Sequence, residues 1–188
     1  MTGTTFKALA ALTGAAVLAG CAASQSPTIS TTTRTSYDPK TLNYAAGKGG
    51  MPVDIHGEAF AAGTPGVDTG VTEGLQSSLN KVKMPFFTER PAGHTSPYRV
   101  VMLFNPAQGA ALQNLCESDL PSAGPNGGRV DVTAAYCASD KMITRVSGRV
   151  GGIDSPQSAG FQALMTEMGQ GLFLNGNPDQ DAAGAFDG

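Results

Sequence analysis

The sequence predicts an α+β domain, a two-layer sandwich in which two helices pack on a mostly antiparallel sheet of about four strands. Three observations carry this prediction: a continuous apolar run, two alternating segments separated by a short turn, and two segments with apolar side chains at helical spacing. The predicted order of elements is β-α-β-β-β-α, in which the first strand, the first helix and the central strand form a right-handed crossover.

The first strand and the first helix are predicted on either side of residue 60. Residues 51–56 alternate apolar and polar side chains, so the valine and isoleucine would point inward and the aspartate and histidine outward. Residues 68–83 carry apolar side chains at helical spacing, and the Met-Pro pair at 84–85 ends the pattern. The apolar side chains of this helix are Val71, Leu75, Leu79 and Val82.

Three further strands are predicted in the second half of the chain. Residues 100–104 are all apolar, which predicts a strand covered on both faces at the centre of the sheet. Residues 129–136 alternate strictly, and a short turn leads to a partner strand at 142–150, so the two form a hairpin. The apolar spacing of this last strand also suits a helix, but its β-branched residues favour a strand. The side chains expected on one face of the hairpin are Val130, Val132, Ala134, Tyr136, Met142, Val146 and Val150.

The last predicted element is a second helix. Ser155 and Pro156 suit the N-cap and the first helical position, and the pattern ends near Gly169. The apolar side chains recur at helical spacing and form one buried stripe. They are Phe161, Leu164, Met165 and Met168.

The segments that flank this domain are polar and rich in small residues. Residues 22–36 contain nine Ser or Thr among fifteen residues, with Ile29 as the single large apolar side chain. Such a composition cannot bury enough surface to offset the entropy of ordering the chain. We therefore predict a disordered tether at 21–48, a single folded domain at 49–173 and a disordered tail at 174–188.

An apolar stretch precedes the tether. The eleven mostly apolar residues from Ala8 to Leu18 reach roughly 17 Å as a helix, whereas a bilayer core is about 30 Å thick. Lys7 lies before this stretch and small residues follow it, which is typical of a secretory signal peptide. Residues 18–21, Leu-Ala-Gly-Cys, resemble the lipobox of bacterial lipoproteins, at which a diacylglycerol is attached to the cysteine before a peptidase cuts in front of it.

The lipobox resemblance implies that residues 1–20 are removed and that Cys21 becomes the lipidated first residue. Two or three acyl chains hold a protein on a membrane essentially permanently. In the sorting rule of this class, an aspartate after the cysteine retains the protein at the inner membrane. Ala22 follows here, so the resemblance implies the outer membrane, facing the periplasm, with the inner membrane as the alternative. The competing interpretation is an ordinary secretory peptide followed by an unmodified cysteine.

Charge restricts the class of partner. The chain has 12 Lys and Arg against 15 Asp and Glu, and removal of Lys7 with the signal peptide leaves a formal charge of −4. Nucleic-acid binding needs a concentrated basic surface, so nucleic acid is not an expected partner.

Two cysteines remain in the predicted domain, Cys116 and Cys137. Since an exported domain meets an oxidising compartment and Cys21 is already used, we predict that these two form a disulfide. Such a bridge would add on the order of 3 kcal/mol of stability and would pin the glycine- and proline-rich segment 121–128. The competing interpretation is one reactive thiol with a histidine base.

Two other groups of side chains have a chemical interpretation. Asp54, His56 and Glu58 alternate along one strand face and could ligate a metal such as zinc, but a polar outer face is the more common outcome. Four arginines could bind an acidic polymer or a headgroup, but Asp131 lies beside them and a solvated sheet face is the more common outcome. These arginines are Arg99, Arg129, Arg145 and Arg149.

The sequence thus predicts a membrane-anchored envelope lipoprotein that acts as a non-enzymatic binding or assembly module, with an envelope protein as partner and without a cofactor. The alternative is a small envelope hydrolase or metal-dependent enzyme. It would use His56 with Asp54 and Glu58, or Cys116.

Overall fold

The computed structural model describes residues 26–34, 37–80, 82–117 and 119–173. The strands and helices in these ranges are β1 (Thr28–Arg34), α1 (Lys40–Gly47), β2 (Met51–His56), α2 (Val67–Ser77), β3 (Phe86–Phe87), β4 (Tyr98–Phe104), β5 (Arg129–Ala138), β6 (Lys141–Gly151) and α3 (Ala159–Phe173). A single turn of 3-10 helix lies at Leu112–Asn114.

The strands form one mixed sheet in the order β1-β6-β5-β4-β2-β3. The three pairs from β1 to β4 are antiparallel, whereas β2 runs parallel to both β4 and β3. The predicted fold class, a mostly antiparallel sheet of about four strands with two helices, was therefore wrong. Both missed strands lie at the edges of the sheet, where pairing on one side suffices and the hydrophobic pattern is weak.

Strand β4 is the centre of the sheet, as predicted from its apolar run. Val100, Met102 and Phe104 face the core on one side of the sheet, and Val101 and Leu103 face a second cluster on the other side. All five side chains are 3% exposed or less. We call the first side, on which α2 and α3 pack, the helix face, and the opposite side the loop face.

The hairpin of β5 and β6 is confirmed, with one correction. The predicted inward residues of β5 all join the helix-face core, as do Val146 and Val150. Met142 instead packs on the loop face. The cause is a bulge, since the strand register shifts between Tyr136 and Cys137 and inverts the alternation at the start of β6.

Glycines allow close approach of α2 to α3 and of α3 to the sheet. A Cβ atom at Gly74 of α2 would lie 2.3 Å from the Cβ of Met165 in α3, and one at Gly148 of β6 would lie 2.9 Å from the sulfur of Met168. The predicted stripe of α3 is confirmed, because all four of its side chains are fully buried. This helix starts at Ala159 and not at Ser155, since the Ser158 hydroxyl accepts the Phe161 N–H at 3.3 Å.

Helix α2 ends before its predicted boundary. It stops at Ser77, whereas the apolar spacing predicts a helix to residue 83. Leu79 and Val82 still pack partly against the core from the segment that follows. Leu79 and Val82 are therefore partly buried from a loop, and their helical spacing does not indicate a further turn of helix.

The four tyrosines of the chain contact one another in a single cluster. Tyr136 is fully buried, and its ring lies 5.8 Å from that of Tyr98 and 6.5 Å from that of Tyr37. Tyr44 of α1 stacks edge-on against Tyr98 at 5.8 Å. Burial raises the pKa of Tyr37 to about 12, and its hydroxyl donates a hydrogen bond to the Phe173 carbonyl at 2.8 Å.

The predicted disordered tether at 21–48 was wrong over most of its length. Residues 28–34 form β1 on the edge of the sheet, and residues 40–47 form α1. The physical reason is that threonine favours strands and that a few apolar side chains find partners, since Ile29, Leu42 and Ala45 all pack on the core.

The remaining predictions about the termini fall outside the described residues. These are the signal peptide at 1–20, the lipidation of Cys21 and the tail at 174–188. Among the helices that the structure does describe, none combines the length and the apolar character needed to cross a membrane.

Candidate functional site

The loop face of the sheet is covered by the segment between β4 and β5. Within this segment, Leu115 and Cys116 pack on Val101, Leu103 and Ala135 to form a second apolar cluster. Cys116 is bonded to Cys137 of β5, with the two Cα atoms 5.8 Å apart. The predicted disulfide is confirmed, and it fixes the middle of the covering segment to the sheet.

A second attachment holds the start of the covering segment. Asn105 is buried and adopts a φ of 46°, the left-handed conformation that asparagine tolerates. Its side-chain amide donates to the Glu58 carbonyl at 2.7 Å, and its side-chain oxygen accepts the Asp131 N–H at 3.0 Å. Asn105 thereby joins the chain after β2 to the start of β5.

Arg99 provides a third attachment. One of its terminal nitrogens donates to the Cys116 carbonyl at 2.6 Å, and its Nε lies 3.1 Å from the Asp54 carboxylate. A second carboxylate, that of Asp140, lies 4.0 Å from the same guanidinium. The side chain is only 21% exposed, so these hydrogen bonds form in a partly desolvated setting where they are stronger than at an open surface.

Between the covering segment and β2 lies a cleft of about 400 Å³. His56 lines it, with its Nδ1 3.2 Å from the exposed Asp119 carboxylate. The charged groups around the cleft are three carboxylates and one guanidinium, which makes it acidic. The polar lining side chains are Asp54, His56, Arg99, Glu117 and Asp119, and the floor includes Ile55, Val101 and Leu115.

The three predicted metal ligands do not converge. Asp54 pairs with Arg99 and His56 pairs with Asp119, while Glu58 lies beyond the end of β2, after Gly57 at a φ of 71°. Within the described part of the chain, no group of three or more His, Cys, Asp or Glu side chains is arranged to hold a metal ion. The alternating side chains of β2 therefore make two separate contacts, an ion pair of Asp54 with Arg99 and a contact of His56 with Asp119.

The four arginines do not form one surface, and Arg145 lies in the middle of β6, opposite Ala135 of β5. Arg99 belongs to the cleft, whereas Arg129 and Arg149 lie near the start of β5 and the end of β6. There they share Asp131, whose carboxylate lies 2.8 Å from Arg129 and 3.8 Å from Arg149. The hydrogen bond that Arg129 donates to the Asp131 carboxylate raises the pKa of Arg129.

Sequence reasoning missed two residues that shape the cleft. The sequence does not distinguish Arg99 from the three other arginines, and it assigns no role to Asn105. An Asn-Pro pair directly after a buried strand is a recognisable signal for a special turn. The approach of Arg99 to Cys116 leaves no comparable signal, since it depends on how the covering segment folds back.

Comparisons with known proteins give distant likenesses only. No protein family model and no curated protein matches the chain. Among solved structures it is similar to the PelC dodecamer from Paraburkholderia phytofirmans, at 11% identity and a TM-score of 0.40 over 78% of this chain and 98% of that one. A variant of the same dodecamer gives 10% identity and a TM-score of 0.38 over 81% and 99%. These values are too low to show a shared fold.

Proposed function

We propose that the chain is a lipid-anchored protein of the bacterial cell envelope whose domain binds or assembles with a protein partner and performs no catalysis. The anchor is the lipid on Cys21 implied by the lipobox resemblance. The observation that supports an exported location is the disulfide between Cys116 and Cys137, because such bonds persist in oxidising compartments and are rare in the bacterial cytosol. The outer membrane, facing the periplasm, is the proposed site.

A binding role fits the state of the reactive side chains. The Cys116 sulfur is held in the disulfide, and the Asp54 carboxylate is held by Arg99. A nucleophile or a general base needs a free thiolate or an available carboxylate. Both groups instead hold the cleft in shape, which supports binding of a partner over catalysis.

The cleft is the proposed contact surface for the partner. Its covering segment is attached to the sheet at Asn105, Arg99 and Cys116, so its shape is set before a partner arrives and little ordering entropy is lost on binding. The surplus of carboxylates favours a partner segment that presents basic side chains or N–H donors.

The anchor is tested by substituting Cys21→Ser in the full chain and following the mass and the membrane fraction of the product. We expect the variant to keep its signal peptide and to lose acylation, while the matched control Ser24→Ala is processed like the parent. The same processed mass and membrane fraction from Cys21→Ser and from the parent would overturn the anchor.

The cleft is tested by a photo-crosslinking side chain at position 117, compared with one at the exposed position 73 on α2. We expect a defined adduct in intact cells from position 117 and none from position 73. Charge reversal by Asp119→Lys should weaken the adduct, because it removes one cleft carboxylate. The same adducts from both positions, or insensitivity to Asp119→Lys, would contradict the cleft as the contact surface.

A further inference from the structure

We infer that the domain rests on the membrane with one defined end of its sheet, and that Arg149 at this end contacts lipid headgroup phosphates. We call this the anchor end and define it by Thr28, Arg149, Arg129 and the loop 123–128. The inference rests on the proposed lipid anchor at Cys21 and adds an orientation and a contact surface to it.

The position of β1 carries the inference. Because residues 28–34 belong to the sheet, the chain between the lipidated cysteine and the folded domain is short. The seven residue steps from Cys21 to Thr28 span at most about 25 Å. Thr28 must therefore stay within that distance of the bilayer surface.

The register shows what lies beside Thr28. Thr28 pairs with Arg149, and Arg129 pairs with Gly151 at the same end of the sheet. The loop 123–128 leads directly into Arg129, and Asn126 bridges to it. These groups reach the membrane together when Thr28 does.

The length of the hairpin disfavours the reverse orientation. Thr28 lies level with Asp131 of β5, because both pair with Arg149, and the seven residue steps from Asp131 to Ala138 span about 23 Å. The domain could stand on its opposite end, where the charged turn residues Asp140 and Lys141 lie, only with the linker stretched to nearly its full reach.

The side chains at the anchor end suit a headgroup surface. Residues 120–128 contain no charged side chain. Arg149 is 53% exposed, and its nearest carboxylate, on Asp131, is 3.8 Å away, so most of its five N–H donors are available to a phosphate. Arg129 lies closer to Asp131, at 2.8 Å, and Asp154 lines the same groove as Arg129. Arg149 is accordingly the residue that we assign to the lipid contact.

The test uses the full lipidated chain in vesicles of phosphatidylethanolamine and phosphatidylglycerol that carry an energy acceptor on some headgroups. One fluorophore is attached at Asn126→Cys at the anchor end, or as the matched control at Lys141→Cys at the opposite end. Both positions are exposed. We expect strong energy transfer from position 126 and near-background transfer from position 141. Equal transfer from the two positions, or the reverse order, overturns the inference.

A second comparison isolates the arginine. Arg149→Gln should reduce the difference between the two labels, whereas Arg34→Gln at the other end of β1 should leave it unchanged. If the two substitutions act alike, the headgroup contact of Arg149 is overturned. The mass of each sample separates the two proposals: a chain without acyl groups on Cys21 refutes the anchor and the orientation together, and an acylated chain with equal transfer refutes only the orientation.

Discussion

The two faces of the sheet are covered in different ways. On the helix face, α3 lies so close to α2 and to β6 that Gly74 of α2 and Gly148 of β6 have no room for a Cβ atom. On the loop face, a segment with one turn of 3-10 helix is held by a disulfide, by Arg99 and by Asn105. One face is held by side-chain packing, and the other by a few specific bonds.

This difference follows from how much apolar surface each face offers. Large aliphatic and aromatic side chains fill the helix face. Burial of this much apolar surface is sufficient to stabilise a core. The loop-face cluster is small and includes both cysteines and an alanine. A cover with so little apolar area needs a covalent bond and charge-assisted hydrogen bonds to stay in place.

The largest expected effect is on the loop face. Replacing both Cys116 and Cys137 by alanine removes a crosslink between residues 21 positions apart. The unfolded chain then gains conformational entropy, which should lower the free energy of unfolding by about 3 kcal/mol. Urea unfolding of the oxidised protein, the reduced protein and the double variant measures this. Equal midpoints for all three would show that the loop face does not depend on its disulfide.

The next effect concerns the helix face. Gly74→Ala should lower the free energy of unfolding by about 2 kcal/mol, because its Cβ would meet Met165 at 2.3 Å. Gly47→Ala in α1 is the matched control, since nothing lies within 4 Å of its Cβ. The control should be neutral or slightly stabilising through the helix propensity of alanine. Similar losses at both sites would contradict close packing at Gly74.

Arg99→Met tests the polar link on the loop face. It keeps an unbranched apolar stem but removes the hydrogen bond to the Cys116 carbonyl and the ion pair with Asp54. We expect a loss of about 1.5 kcal/mol by denaturant unfolding. Arg149→Met removes an exposed pair and should change stability by less than about 0.5 kcal/mol. An equal loss from both would mean that Arg99 is only a surface ion pair.

The smallest effect is a pH dependence on the helix face. The pKa of Tyr37 is raised to about 12 in the folded protein, from an ordinary value of 10.0. The unfolded chain therefore releases this proton first, and stability should fall as the pH rises from 10 to 12. Tyr37→Phe should flatten this decline, while Tyr44→Phe, at an exposed tyrosine, should not. An unchanged slope in Tyr37→Phe would contradict the buried tyrosine.

Features that depend on local pattern could be predicted from the sequence. The apolar run of β4, the alternation of β5 and the stripe of α3 each indicate burial directly, and the disulfide was predicted from the expected export and the number of cysteines. The mixed sheet could not be predicted, because β1 resembles a soluble linker in composition and becomes a strand only beside β6. Likewise, the pairing of Asp54 with Arg99 depends on two strands meeting in register.

One measurement tests the central claim, an exported, lipid-anchored and disulfide-bonded domain, most directly. It is the intact mass of the protein extracted from membranes and alkylated with and without prior reduction. We predict a chain that begins at an acylated Cys21, takes up no alkyl group before reduction, and takes up two after it, at Cys116 and Cys137. A chain that retains residues 1–20, or one that is alkylated without reduction, would contradict the account.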